Sequence, residues 1–160
     1  MKIRILAATL VLSTFAAIIY FSSSNNPSFA KPVKVSVMPD SINWDKMEFD
    51  AKKGYMKQFV MPQMKVLFRN FDSVKYGNIN CKTCHGDGVA AGTYKMPNPR
   101  LPKLPNSKEG WDKIKEKHAD IMKFMVSQVK PNMANLLGLK PFSKDNPKGF
   151  GCGNCHTDEE

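Results

Sequence analysis

The chain is poor in the residues from which most catalytic centres are built. Its 160 residues include three histidines and four cysteines, and 14 acidic residues stand against 24 basic ones. No Ser-His-Asp ordering, glycine-rich phosphate loop or paired-carboxylate motif can be assembled from it, so hydrolytic and nucleotide-dependent chemistry has no site. No stretch alternates apolar and polar residues with period two, and half-buried strands are not expected. The basic residues are scattered from Lys31 to Lys148 and never form an arm with interleaved aromatics, which excludes nucleic acid as the expected partner.

What little cysteine and histidine there is sits in two places. Cys81-Lys82-Thr83-Cys84-His85 and Cys152-Gly153-Asn154-Cys155-His156 use every cysteine and two of the three histidines. Cys-x-x-Cys-His is the attachment signature of c-type haem. Two thiols on adjacent turns add to the two vinyl groups of the porphyrin, and the next residue offers its imidazole to the iron. The expectation is two covalently bound c-type haems, held by Cys81, Cys84, Cys152 and Cys155, with His85 and His156 as iron ligands. The competing reading is a four-cysteine zinc site with incidental histidines.

The first thirty residues read as an export signal. Lys2 and Arg4 precede the apolar run Ile5 to Phe21, and Ser28-Phe29-Ala30 offers small residues where a signal peptidase cuts, before Lys31. A retained N-terminal membrane anchor is the alternative, since the run is long for a signal and short for a span. Either way residues 31–160 are expected in the periplasm or on the outer face of the inner membrane, where free Cys-x-x-Cys pairs would oxidise. Removing residues 1–30 lowers the formal charge from +10 to about +8. That charge suits a solvated surface, or steering toward an acidic redox partner.

The chain also repeats itself. Tyr55-Met56, Val60, Pro62, Met64 and Leu67 match Phe124-Met125, Val129, Pro131, Met133 and Leu136 at a constant offset of 69 residues. Two supersecondary units follow, about 41–106 and 107–160, each built around one haem motif. In the second, Trp111, Ile114, His118, Ile121, Met125 and Val129 mark one helix face, with Ser107 as its N-cap. In the first, Trp44, Met47, Ala51, Tyr55 and Phe59 run similarly. Proline then breaks each helix and opens another that carries Met64 or Met133. Glycines and prolines between Gly86 and Asn106 exclude a long helix or a central strand there, and the segment is expected to wrap the first haem and link the units. The fold class is mainly α, two repeated helix–loop–CxxCH units with long irregular connections.

Met64 and Met133 are the leading candidates for the sixth iron ligands, because they hold equivalent positions on apolar helix faces ahead of each motif; ordinary core methionine is the alternative. A Met-bearing helix, a loop and Cys-x-x-Cys-His, in tandem, resembles the cytochrome subunit of photosynthetic reaction centres. Here Met64 lies seventeen residues before Cys81 and Met133 nineteen before Cys152. The resemblance implies this ligand topology and an electron-transfer role, although the chain has half that family's four haems. Lys95-Met96-Pro97 resembles the ligand loop of small soluble cytochromes c, but Met96 follows His85 by only eleven residues. His118 is a further competitor. The expected function is an exported dihaem cytochrome passing single electrons between redox partners, one of them acidic or a membrane complex. A dihaem peroxidase-like enzyme with one open iron site is the alternative.

Overall fold

Proline shapes both long helices. Pro62 has no N–H to offer the Gln58 carbonyl, and its ring would clash with that carbonyl in a regular helix. One widened turn relieves both problems. In the computed structural model, which describes residues 42–160, helix α1 (Phe49–Tyr55) runs into a π-helical turn, Met56–Val60. The turn closes by a Met61 N–H bond to the Met56 carbonyl and leads directly into α2 (Met61–Phe71).

A short α3 (Cys81–His85) and a surface α4 (Lys108–Lys117) come next, and then the pattern recurs. Helix α5 (Ala119–Phe124), a π-turn at Met125–Val129 closed by Lys130 N–H on the Met125 carbonyl, and α6 (Lys130–Leu136) follow, with Pro131 in the place of Pro62. The two π-turns are 69 residues apart, the offset of the sequence repeat. Proline was expected to break each helix. Instead the backbone stays helical through Val60 and Met61, because the π-turn absorbs the ring.

Two other helix expectations are corrected. Trp44 lies in an isolated 3-10 turn, Trp44–Lys46, and Met47 is extended, so the first helix begins only at Phe49. The stripe from Trp111 to Val129 is two helices rather than one. Ser107 Oγ does accept the Gly110 N–H and caps α4, but α4 stops at His118, whose φ of −133° and ψ of 38° are not helical. The break separates α4, which buries no residue, from α5, which drives Phe124 into the core. His118 is exposed.

The core is one cluster of ten buried residues: Tyr55, Val60, Met64, Phe68, Ile79, Phe124, Ala134, Leu136, Leu137 and Phe150. Packing across it is reciprocal, with α2 against the second π-turn and α6 against the first. Phe124 stacks on Phe71 (4.3 Å, 10°) and meets Phe68 edge-on (5.1 Å). Tyr55, its counterpart, donates a buried 2.7 Å hydrogen bond to the Leu136 carbonyl, one of the acceptors that a helix end leaves open. Helix α6 ends at Gly138 (φ +64°), where a Cβ would come within 2.6 Å of the Ile42 carbonyl; Leu139 N–H closes back on the Ala134 carbonyl.

The fold is mainly helical, and among the described residues there are no strands, only three isolated bridges. No helix among them is long and apolar enough to cross a membrane. The leader and its cut site lie outside the described residues.

Tyr55→Phe leaves a buried carbonyl without its donor and should cost about 1–3 kcal/mol in a urea titration. Leu136→Ala removes a fully buried side chain and should cost about 2–5 kcal/mol.

Candidate functional site

Each Cys-x-x-Cys-His motif begins with a capped turn. Asn80 opens α3: its Oδ1 accepts the Lys82 N–H (2.9 Å), and Thr83 Oγ1 accepts the Asn80 N–H in return (3.0 Å). The second motif is a 3-10 turn, Cys152–Asn154, in which Asn154 Oδ1 accepts the Gly151 N–H (2.7 Å). Thr83 and Asn154 occupy the same place in the pentapeptide, so both motifs are tied back to the preceding residue by their third side chain.

The two histidines are held alike. His85 Nδ1 lies 3.0 Å from the Tyr94 carbonyl, and His156 Nδ1 lies 2.7 Å from the Pro102 carbonyl. A carbonyl oxygen only accepts, so Nδ1 carries a proton in both rings, and in the neutral imidazole it is Nε2 that keeps the lone pair. That is the tautomer a metal-ligating imidazole needs, with the ring oriented by a backbone carbonyl on its other nitrogen.

The four thiols are unpaired. Burial raises the Cys84 pKa, with Cys81 adding to it. Burial also pushes the Cys155 thiol up to about 11, helped by Cys84 and then Cys152. The influence of Cys84 on Cys155 reflects how near the two motifs lie. Among the described residues no three His, Cys, Asp or Glu side chains gather into a group that could hold a metal ion.

One segment brings the motifs together. Between Tyr94 and Leu104 the chain accepts from His85, donates from Asn98 Nδ2 to the Cys84 carbonyl (2.9 Å), donates from Asn98 N–H to the Cys155 carbonyl (2.9 Å), and accepts from His156. Leu104 then pairs with the C-terminal residues: its N–H bonds the Thr157 carbonyl and its carbonyl accepts the Glu159 N–H, both at 2.8 Å. Two of these bonds go to each motif, and the Leu104 pair goes to the residues that follow the second.

The methionines lie elsewhere. Met64 is buried at 3 % exposure in the core cluster, and Met133 packs against that cluster from its border. Cys155 packs against the same cluster, so the second motif meets the apolar body that carries both methionines. Met96 is half-buried within the strap. The sequence reading passed over Asn98, the Tyr94 and Pro102 carbonyls, and the capping roles of Thr83 and Asn154. Only the last had a local signal, a side chain able to cap at the third position of both motifs.

The donor set fits c-type haem: paired thiols, and two imidazoles whose Nδ1 is tied to a backbone carbonyl. Thr157 Oγ1, next in the chain to His156, is buried without a partner and is a donor that a haem carboxylate could take. Comparison with protein-family models, curated proteins and solved structures returns no match for this chain.

Burial holds the His85 pKa below its ordinary 6.5, against the opposing effect of the Tyr94 carbonyl. A lowered folded-state pKa means that the unfolded chain takes the proton first. The contribution of His85 to stability is therefore complete above pH 6.5 and is lost as pH falls through the lowered value. Ring ¹⁵N shifts of the haem-free chain should report a neutral, Nδ1-protonated His85 at pH 7 and a titration midpoint below 6.5.

Proposed function

We propose that this chain is an exported dihaem c-type cytochrome that carries single electrons between redox partners. The observation that carries the reading is that both Cys-x-x-Cys-His motifs present a histidine whose Nδ1 is committed to a backbone carbonyl, leaving Nε2 for iron. Bound haem would supply the one-electron Fe(III)/Fe(II) couple.

The chain's own residues supply the rest. Cys81 and Cys84, and Cys152 and Cys155, keep the cofactor attached in either redox state. His85 and His156 would ligate the iron through Nε2. Met64 and Met133 would supply thioether ligands, which would favour the reduced iron and raise the potential relative to bis-histidine ligation. This ligand topology is the one that the resemblance to the reaction-centre cytochrome subunit implies. The basic surface suits an acidic redox partner or membrane complex, and the leader would deliver the chain to the outer side of the inner membrane.

The zinc alternative fits less well. A structural zinc site needs four ligands within bonding distance of one point, and it binds thiolates. The thiols do not gather in that way, and the Cys84 and Cys155 pKa values are raised.

A mass spectrum of the natively matured chain should show two haem additions; a bare chain mass defeats the proposal. Replacing Cys81 and Cys84 together by alanine should remove one addition, and replacing all four cysteines should remove both.

The methionine assignment calls for a volume-conserving change, because Met64 is a core residue: Met64→Leu should cost less than about 1.5 kcal/mol of packing. Met64→Leu and Met133→Leu should each abolish the weak near-infrared Met–iron band of one haem and lower its midpoint potential. A band intact in both variants refutes the ligand assignment while leaving the cytochrome reading in place.

A further inference from the structure

We propose that Asn98 is a positioning residue that locks the two haem-attachment motifs into one rigid pair, its side chain on the first and its backbone N–H on the second, so that a single residue fixes how the two haems face each other. The haem part of this rests on the function proposed above.

Asn98 is the buried polar residue of the described chain, at 3 % exposure, and its hydrogen-bonding groups are all engaged. Its Nδ2 donates to the Cys84 carbonyl, its backbone N–H donates to the Cys155 carbonyl, and its Oδ1 accepts the Arg100 N–H, each at 2.9 Å. Cys84 and Cys155 are equivalent residues, the second cysteine of each motif. One asparagine thus holds the same atom of both motifs, the carbonyl of the peptide that leads into the histidine. A shift at that peptide tilts the imidazole that follows it.

The surroundings are built around the side chain. Gly86, the residue after His85, is buried with φ +54°, and a Cβ there would lie 2.8 Å from Asn98 Oδ1 and 2.9 Å from Nδ2. Glycine at 86 satisfies the left-handed backbone and clears the space that Asn98 fills. The strap is also symmetric about Asn98. Four residues before it, the Tyr94 carbonyl holds His85; four residues after it, the Pro102 carbonyl holds His156. The pin and both ring anchors therefore move as one segment. The surface pair Arg100–Asp87 (2.9 Å) fastens the same segment beside the first motif, although an exposed pair contributes little.

Asn98→Ala cuts the arm to Cys84 and keeps the backbone arm to Cys155. The test reads orientation rather than stability alone. Two haems held at a fixed angle and short distance couple their Soret transitions into a two-signed circular-dichroism band, whose size and sign follow their geometry. In Asn98→Ala carrying two haems by mass, this band should fall several-fold or invert, and the separation of the two midpoint potentials should change. Gly86→Ala, which pushes on Asn98 from the other side, should do the same. Asn106→Ala, which removes a bond to the Glu159 carbonyl at the far end of the strap, should leave the band at wild-type size. A wild-type band and wild-type potentials in dihaem Asn98→Ala overturn the proposal.

A second arm needs no haem. In the haem-free full chain, Asn98→Ala should accelerate amide hydrogen exchange at 81–86 and leave 152–157 near wild type, because alanine keeps the backbone bond to the Cys155 carbonyl. Wild-type exchange at 81–86 overturns the proposal by showing that the side chain does not hold the first motif. A wild-type chain that matures without haem defeats the functional reading and leaves this exchange result to decide the hold on the first motif.

Discussion

Backbone carbonyls that find no amide within their own segment govern the geometry at both motifs. Pro97, Pro99, Pro102 and Pro105 remove four N–H donors from a short stretch. So depleted a segment cannot close a helix or a ladder, and its carbonyls must find donors elsewhere or stay in water. Tyr94 and Pro102 find imidazole N–H groups. The strap therefore sets the tautomer of both histidines, and it does so with main-chain atoms that no side-chain substitution removes. Asn98 performs the inverse task, supplying donors to the carbonyls that precede the two histidines.

The strap can hold the motifs only if something rigid holds the strap. That support begins with the two helix prolines. By forcing a π-turn rather than a break, Pro62 and Pro131 keep α1 with α2 and α5 with α6 as continuous rods. Continuous rods can pack reciprocally, each π-turn on the other copy's helix, with Tyr55 and Phe124 as the aromatic residues that cross over. Cys155 rests on the resulting core, Asn98 rests on Cys155, and Cys84 and His85 are held from there. The first motif is also tied to the core directly, through Ile79 two residues before Cys81.

Local chemistry was legible in the sequence and long-range chemistry was not. The pentapeptides, the helical class and the Ser107 cap are properties of short windows, and the structure contains each of them; the 69-residue offset spans much of the chain and reappears as the spacing of the two π-turns. Proline was read as a breaker because the usual rule considers one turn at a time; a π-turn is the alternative a helix takes when packing on both sides holds it together. The break at His118 was missed because His118 keeps the three-to-four spacing of the apolar stripe, while the polar character of α4 makes it a surface element. Asn98 sits in Met-Pro-Asn-Pro-Arg, which by itself reads only as a turn. Its partners Cys84 and Cys155 lie 14 residues before it and 57 after it, and no local pattern encodes that meeting.

The apolar side chains bear on the same proposal. Ten hydrophobic residues are buried among the described ones, while Phe49 and Phe142 are each 49 % exposed. These two phenyl rings are not scattered at random. Phe49 lies 6.3 Å from the ring of Tyr94, whose carbonyl holds His85. Phe142 lies against Gly151, the residue that precedes Cys152, so closely that a Cβ on Gly151 would come within 3.0 Å of it. A half-exposed phenyl ring costs hydrophobic stabilisation of order 1 kcal/mol relative to full burial. Placing one beside each motif makes sense if the motif carries a large apolar group for the ring to cover. A zinc ion offers no such surface, whereas a porphyrin face does. Under the proposed function the exposed phenylalanines and the histidines tied at Nδ1 would serve the same group, one through hydrophobicity and the other through hydrogen bonding.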